Sequence, residues 1–492
     1  MRNENALNED SRSLCSSGSD TMYPLCVDLD GTLIHTDVLH ENLVAAFVTK
    51  PWIVFYLFFW LMRGRAYFKA RLAEKVGFDA SLLPYDERVL DYLRREKAKG
   101  RRMILATGSA RLQADAVAEH LGLFDAVLAT ESDRNLKGST KAALLSELLA
   151  RFSYLGNDRS DIAVWRCAET ASIANASTRL VRRISNTHKL EIEIPRRPGL
   201  SLAVAKALRP YQWTKNLLIF VPILTANQIS DLSAWVAALF AFLGFSVTAS
   251  GIYVLNDLTD LDADRRHLRK RYRPFASGMV PVWVGMVLAP FLLAMGLAIG
   301  WRTGALSALL FYVVVSLSYT IYAKELPLVD VFCLAFLYVI RLVAGGLATG
   351  FIVSQWLLGF SAFLFLSLAF VKRVAEISAA ARKSVMVSRR GYLADDYSVL
   401  KMMGVTSSFA SCVLLALFVQ SPEVAARYAS PALLWALVPL ILFWQLRLWL
   451  STTRGYMYDD PIVYAARDWV SWIAAAFGAA IMLLASHMRI LS

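Results

Sequence analysis

Between residues 232 and 255 the chain holds no charged side chain. A hydrocarbon core takes roughly 20 apolar residues of helix. Lipid offers the backbone no hydrogen-bond partners, so such a run reads as a helix that satisfies its own amides inside a bilayer. With comparable runs around it, nine spans are expected: about 214–229, 232–255, 280–299, 304–322, 328–350, 354–373, 403–420, 430–450 and 469–488. The first is the weakest, with Lys215 and Asn216 at its start. Before about residue 200, charged and apolar residues alternate as in soluble proteins. The 492 residues, 57% hydrophobic and 18% charged, therefore divide. A polar disordered tail (1–20) precedes an α/β domain (21–190) and a linker (191–208). An all-α polytopic membrane bundle of nine transmembrane helices occupies 209–492.

The net charge of +13 raises nucleic acid as a partner, but its distribution argues against one. Most of the excess falls in 265–273, 372–390 and 447–467, loops that alternate with weakly charged ones. That alternation is the positive-inside pattern. It places the N-terminal domain and the basic loops on the cytoplasmic side of the inner (cytoplasmic) membrane, with the short C-terminus outside. The five cysteines (Cys15, Cys26, Cys167, Cys333, Cys412) show no metal or disulfide spacing. The polar N-terminus lacks the apolar core of a secretory signal. The oligomeric state is not legible.

The charge-free run ends in NDLTDLDAD, residues 256–264. In a helix Asn256, Asp260 and Asp264 sit at i, i+4 and i+8 along one face. Three hard oxygen donors at a membrane surface suit Mg²⁺, which is commonly shared with substrate phosphates. The basic run RRHLRKRYRPFASG follows, with Arg265, Lys270 and Arg273 as phosphate contacts. Asp257, about 100° around the helix from Asn256, is the member least expected to reach the metal.

Residues 23–35, YPLCVDLDGTLIH, form a short apolar strand ending in DxDGT. Strand tips are where parallel sheets place chemistry. Asp28 is the candidate nucleophile, and Asp30, two residues on, the acid/base on the same side. MILATGS (103–109) is a second strand, ending in the hydroxyl of Thr107. Lys137, or alternatively Lys141, would neutralise a phosphate. FSYLGNDRSD (152–161) gives a third strand, with Asp158 and Asp161.

In this order the four pieces resemble the haloacid dehalogenase superfamily of aspartate-nucleophile phosphatases, over about residues 20–190. The resemblance implies a Rossmann-like fold with a cap insertion, here 38–100. It also implies a phosphoaspartyl intermediate on Asp28 and Mg²⁺ held by Asp28, the Asp30 carbonyl and the last motif. Asn157 stands where family members often have Asp, which leaves that role to Asp158 or Asp161. Within the cap, PWIVFYLFFWLM (51–62) is intensely apolar but about half a span long. It is either a buried cap helix or a segment dipping into the membrane interface, with Trp52, Trp60, Lys50, Arg63 and Arg65 at headgroup level.

In the membrane half, RPYQWTKN places Arg209 and Lys215 at the start of the first span. Tyr319, Lys324 and Asp330 fall between the fourth and fifth, and Lys372, Arg373 and Glu376 at the end of the sixth, before SRRGYLADDY (388–397). Arg341 lies inside the fifth span, where a charge costs about 2.5–3.5 kcal/mol on insertion scales. It must pair with something: an acid at a helix end, or a substrate diphosphate.

NDxxDxxxD after the second span, followed by YRPFASG (272–278), resembles the UbiA superfamily of intramembrane prenyltransferases. RPYQWTKNLLIFVPIL, Lys324, Asp330, Arg341, Gly345, Gly346 and VKRVAEI are similar to the decaprenyl-phosphate phosphoribosyltransferase branch. The resemblance implies Mg²⁺ on Asn256, Asp260 and Asp264. It also implies a phosphoribosyl group moving from 5-phosphoribosyl diphosphate to a polyprenyl phosphate. The second aspartate-rich motif of the superfamily is replaced by KRVAE and a later DDY, leaving a second metal position open among Glu376, Asp395 and Asp396. The alternative is a prenyl diphosphate donor with an aromatic or other acceptor. The fused phosphatase would then remove the 5-phosphate of the lipid-linked product.

Overall fold

The structure, a computed structural model, describes residues 22–381, 391–457 and 460–487. The expected tail and residues 388–390 of SRRGYLADDY lie outside them. Six parallel strands form one sheet: β1 (Leu25–Val27), β2 (Met103–Ala110), β3 (Ala126–Thr130), β4 (Ser153–Gly156), β5 (Thr170–Ala174) and β6 (Leu190–Ile194). Their order is β3-β2-β1-β4-β5-β6, with Cys26 opposite both Ile104 and Tyr154. Side chains alternate across a strand. Leu25 and Val27 therefore join the core on one face and Cys26 the core on the other. The order reverses between β1 and β4, so the crevice beyond their carboxyl ends is the expected ligand position.

Between β1 and β2 come α1 (Val38–Thr49), α2 (Val54–Met62) and α3 (Arg65–Lys75). The helix Glu87–Ala98, included in the expected cap, buries Val89, Leu90 and Leu93 against the sheet core. It is a crossover helix of the sheet, and the insertion ends before it. Its amphipathic spacing gives it a face to bury, which an interposed cap helix would not need.

Seven helices among the described residues are long and apolar enough to span a bilayer: Leu232–Thr259, Val282–Arg302, Val329–Thr349, Gln355–Ala379, Asp396–Val419, Pro431–Thr453 and Trp469–His487. The run at 304–322 forms the shorter helix Leu306–Ile321. The expected first span is a 3-10 helix, Pro210–Phe220, followed by one α-turn, Val221–Thr225. Pro222 has no N–H to continue a regular helix through that junction.

The chain divides into two compact units, one of residues up to 208 with 254–288, the other of 209–253 with 289–492. The expected boundary at 209 is thus corrected for one segment. The stretch carrying NDLTDLDAD and the basic loop packs with the N-terminal unit. Sequence hydropathy tracks the helix that delivers this segment but not its partners.

Candidate functional sites

At the tip of β1 the Asp28 N–H donates to Leu155 O at 2.9 Å, fixing the first aspartate at the switch point. The chain then turns sharply. Gly31 has φ +75°, and a Cβ on it would lie 2.1 Å from Asn157 Nδ2. Only glycine fits both demands. The side chain beside the DxDGT loop is therefore the carboxamide of Asn157, which follows β4.

Lys141, 3% exposed, donates to Asp28 Oδ1 at 2.7 Å and to the Tyr154 hydroxyl at 2.9 Å. Tyr154 in turn donates to Asp161 Oδ1 at 2.8 Å. Lys137 is exposed. The structure brings the second lysine, not the first, to Asp28. Lys141 lies in the helix Ser139–Leu148, on a turn that packs into the core.

Asp30 Oδ1 accepts the N–H of Val38, the first residue of α1, at 2.9 Å, and Oδ2 accepts from Ser109 Oγ at 2.6 Å. Thr107 is fully buried and its Oγ1 accepts the Ser109 N–H at 3.0 Å. Ser109 is thus the hydroxyl that reaches the Asp30 carboxylate, two residues beyond the expected Thr107. Lys69 of α3 donates to Gly108 O at 2.6 Å, bringing the cap to the same strand. Burial pushes Asp28 up to about 6 against the pull of Lys141. Burial, then Asp37 and Asp28, push Asp30 up to about 7. Such separated carboxyls suit one nucleophile and one proton donor.

The two acids after β4 are engaged locally. Asp161 Oδ2 accepts the N–H groups of Asn157 and Asp158, both at 3.1 Å. Asp158 is exposed and caps the following turn in a reciprocal capping box. Asp161 also lies 3.9 Å from Lys141 Nζ, the ammonium that pairs with Asp28. Among the described residues no three His, Cys, Asp or Glu side chains converge to hold an ion. Mg²⁺ typically takes one or two carboxylates and completes its shell with water and phosphate oxygens. Asp28 Oδ2, the Asp30 carbonyl and Asn157 Oδ1 are donors of that kind.

The segment 254–288 forms a second acidic site. The long helix ends at Thr259, Asp260 leaves helical geometry (φ −99°, ψ 14°), and a short helix Leu261–Arg266 follows. The hydrogen bonds Asp260 N to Asn256 O (3.0 Å) and Asp264 N to Asp260 O (2.8 Å) keep the three expected donors in succession. Arg273 Nη1 reaches Asp264 Oδ2 at 2.6 Å and Asp257 Oδ1 at 3.2 Å. Asp257, the member least expected at the metal, thus shares the Arg273 guanidinium with Asp264 across the break at Asp260. Burial raises the Asp264 carboxyl, while Arg273 opposes the shift. The donors follow one another as three carboxylates and a carboxamide; since no three acidic side chains converge among the described residues, a hard cation there would complete its shell with water and phosphate oxygens.

Arg265, expected as a phosphate contact, is engaged with protein groups. Its guanidinium holds Glu41 of α1 in a two-pronged ion pair (2.6 and 2.8 Å), and its Nε donates to Ala276 O at 3.1 Å. Both partners are nearly buried. Arg266 meets Asp79 at 3.3 Å, and Gly278 (φ +70°) lies so close to His35 that a Cβ would approach it to 2.5 Å. These contacts bind the basic loop to the α/β unit. Lys270 is exposed in a 3-10 turn, Lys270–Tyr272.

In the other unit, Lys215 donates to Asp460 Oδ2 at 2.8 Å, and Lys372 lies 3.5 Å from the same oxygen. The two lysines and Lys324 were expected, but Asp460 was not. Lys324 sits half-buried in the turn Ala323–Glu325. Among the described residues Arg341 pairs with no acid. Its Nε donates to Asn216 Oδ1 at 2.7 Å, and its guanidinium faces the rings of Phe245, Tyr312 and Tyr338 at 5.2–5.6 Å. Aromatic faces and a carboxamide balance the charge there. Arg373 is fully buried, pairs with Asp330 and Glu376, and donates to the Tyr319 hydroxyl at 2.9 Å. It ties the helices Val329–Thr349 and Gln355–Ala381 together, its guanidinium taken up by protein groups. Glu376 is thereby engaged, and Asp396 accepts the Leu393 N–H at 2.8 Å at the start of its helix, with Asp395 exposed beside it.

Residues 217–459 match the UbiA prenyltransferase family, and residues 25–162 match the haloacid dehalogenase-like hydrolases. The chain is 34% identical to uncharacterized protein y4nM of Sinorhizobium fredii over 477 residues, 95% of this chain and 92% of that one. It is 36% identical over 233 residues to decaprenyl-phosphate phosphoribosyltransferase of Mycolicibacterium smegmatis, covering 46% of this chain and 72% of the relative. A UbiA homolog from Archaeoglobus fulgidus bound to GPP and Mg²⁺ aligns with 57% of this chain and 99% of its own, at 18% identity and a TM-score of 0.44.

Proposed function

This chain belongs to the UbiA prenyltransferase family and carries a haloacid dehalogenase-like domain at its N-terminus, and on that premise we propose that it makes and then trims a lipid-linked pentose phosphate. It is an integral membrane enzyme. The membrane domain transfers the phosphoribosyl group of 5-phosphoribosyl diphosphate to a polyprenyl phosphate. The acceptor's phosphate oxygen bonds to C1 of the ribose as the C1–O bond to diphosphate breaks. Mg²⁺ bound by Asn256, Asp260, Asp264 and the newly recognised Asp257 would stabilise the departing charge. Arg273 and Lys270 bind diphosphate oxygens. Lys215 and Lys372 hold a substrate phosphate in place of Asp460, with Lys324 and Arg341 as further cationic contacts.

The α/β domain removes the 5-phosphate of the product at the cytoplasmic face of the inner membrane. Asp28 attacks phosphorus, Lys141 neutralises the phosphoryl oxygens, and Asp30 gives its proton to the departing ribose oxygen. Asp30 then takes a proton from the water that hydrolyses the phosphoaspartate. Mg²⁺ there would offset the negative charge shared by Asp28 and the phosphoryl group.

The reading is carried by one observation. A chain similar over 233 residues to a decaprenyl-phosphate phosphoribosyltransferase also holds paired aspartates and a buried lysine at the switch point of a parallel sheet. The test supplies purified protein with labelled 5-phosphoribosyl diphosphate and a polyprenyl phosphate, with products read by mass spectrometry. Wild type yields polyprenylphosphoryl ribose, and Asp28→Asn stops at its 5-phosphate. An identical product from both rejects the phosphatase step. Turnover only with a prenyl diphosphate donor rejects the transferase assignment.

A further inference from the structure

One surface of the α/β unit serves neither reaction. After α1 the chain bends by 119° at Lys50–Pro51 into the apolar segment Pro51–Met62. Its helix α2, VFYLFFWLM, has no buried residue. On its inner side Leu57 and Trp60 pack partly against the small core of Ile53, Leu72 and Phe68. Its outer side exposes Phe55 (77%), Phe58, Phe59 and Met62 (74%), with Trp52 one turn earlier. The spacing 55, 58, 59, 62 is i, i+3, i+4, i+7, which defines a single face meant for burial.

We propose that this face is sunk in the headgroup and acyl boundary of an anionic lipid bilayer. Three observations select lipid over another protein surface. Residues 50–75 carry six basic side chains, of which Lys69 is turned to Gly108 O; the other five (Lys50, Arg63, Arg65, Arg71, Lys75) stand against one acidic, Glu74. That balance complements anionic headgroups. A second copy of the chain docking on the same face would set basic against basic, because a two-fold interface pairs each patch with itself. The helix is nine residues long, about 14 Å at 1.5 Å per residue. That is under half of a hydrocarbon core of about 30 Å, enough to enter one leaflet without crossing. Trp52, Tyr56 and Trp60 supply the amphipathic rings favoured at a membrane–water boundary. The chain's own spans already hold it at a bilayer, so the contact is intramolecular in kind and needs no separate recruitment. The inference does not depend on which reaction either domain performs.

The test places a photo-crosslinking benzophenone side chain at position 58 of the full chain, in nanodiscs of phosphatidylcholine and phosphatidylglycerol. A matched sample carries it at position 112, since Leu112 is an exposed apolar residue elsewhere on the same domain. Mass spectrometry should find lipid adducts at position 58 in several-fold excess over position 112, reduced when phosphatidylglycerol is left out. Equal adducts at both positions overturn the proposal, as do cross-links at position 58 mainly to a second copy. In a companion variant, Phe55→Glu with Phe59→Glu should lose the adducts at position 58 while keeping the wild-type circular dichroism and limited-proteolysis pattern, showing that the domain is folded. Retained adducts in that folded variant also overturn the proposal.

Discussion

Replacing Lys141 with methionine isolates the contribution of one buried charge. The ammonium is 3% exposed and 2.7 Å from Asp28 Oδ1. For unit charges at 4 Å in an effective dielectric of about 20, the attraction is about 4 kcal/mol. Removal of a preorganised donor facing developing charge costs about 2.7–4 kcal/mol, or roughly 10²–10³ in kcat. The two figures agree, so Lys141→Met should lower hydrolysis of p-nitrophenyl phosphate by the full-length protein by about 10²–10³. The variant also leaves Asp28 buried without its partner, which costs about 3–5 kcal/mol of stability in comparable pairs. Thermal unfolding should therefore be recorded alongside the rate. Lys137→Met, at an exposed position, should stay within a few-fold of wild type. In the coupled assay the Lys141→Met protein should still form the lipid-linked 5-phosphate and accumulate it. If Lys137→Met abolishes hydrolysis while Lys141→Met remains near wild type, the assignment from geometry is wrong.

Hydrolysis requires Asp28 ionised and Asp30 protonated, so with these groups raised to about 6 and about 7 kcat/KM should rise through about pH 6 and fall above about pH 7, the limbs belonging to the coupled pair. Ser109→Ala removes a hydrogen bond that favours the Asp30 carboxylate, so the falling limb should move to higher pH; a limb that stays or moves down contradicts this role. Glu41→Gln leaves the Arg265 guanidinium nearly buried without its carboxylate and should cost about 3–5 kcal/mol. Hydrogen exchange should quicken across 261–278, and the swap Glu41→Arg with Arg265→Glu should recover part of the loss; unchanged exchange in the single variant would show the pair to be dispensable. Asp257→Asn should reduce formation of the lipid product by about 10²–10³, whereas the exposed Asp262→Asn should change it little. Equal effects would remove Asp257 from the metal face.

Much of the architecture follows from local pattern. A charge-free run from 232 to 255 has few ways to fold, and the structure makes it part of one long helix, Leu232–Thr259. The strand before DxDGT is apolar at consecutive positions because a central parallel strand is covered on both faces, and Leu25, Cys26 and Val27 are all buried. The placing of Asp28 and Asp30 at a strand tip follows for the same reason, since the strand end and the glycine directly after Asp30 fix it without any distant partner. Leu306–Ile321 and Pro210–Phe220 were harder, because hydropathy reports apolar length and not whether the backbone winds regularly through it.

What the sequence could not decide is who meets whom across long separations. Lys137 and Lys141 are equivalent by composition, and only the packing of the helix Ser139–Leu148 against the sheet sends the second to Asp28. Arg265, Arg341 and Arg373 look alike as cations near a phosphate site, yet their partners are Glu41, Asn216 and Asp330, from 43 to 224 residues away. A buried charge settles wherever the fold provides a matching group at hydrogen-bond distance. Sequence spacing can place residues on one face only while the helix runs unbroken; across the break at Asp260 it is tertiary packing that brings Asp257 and Asp264 to one partner, Arg273.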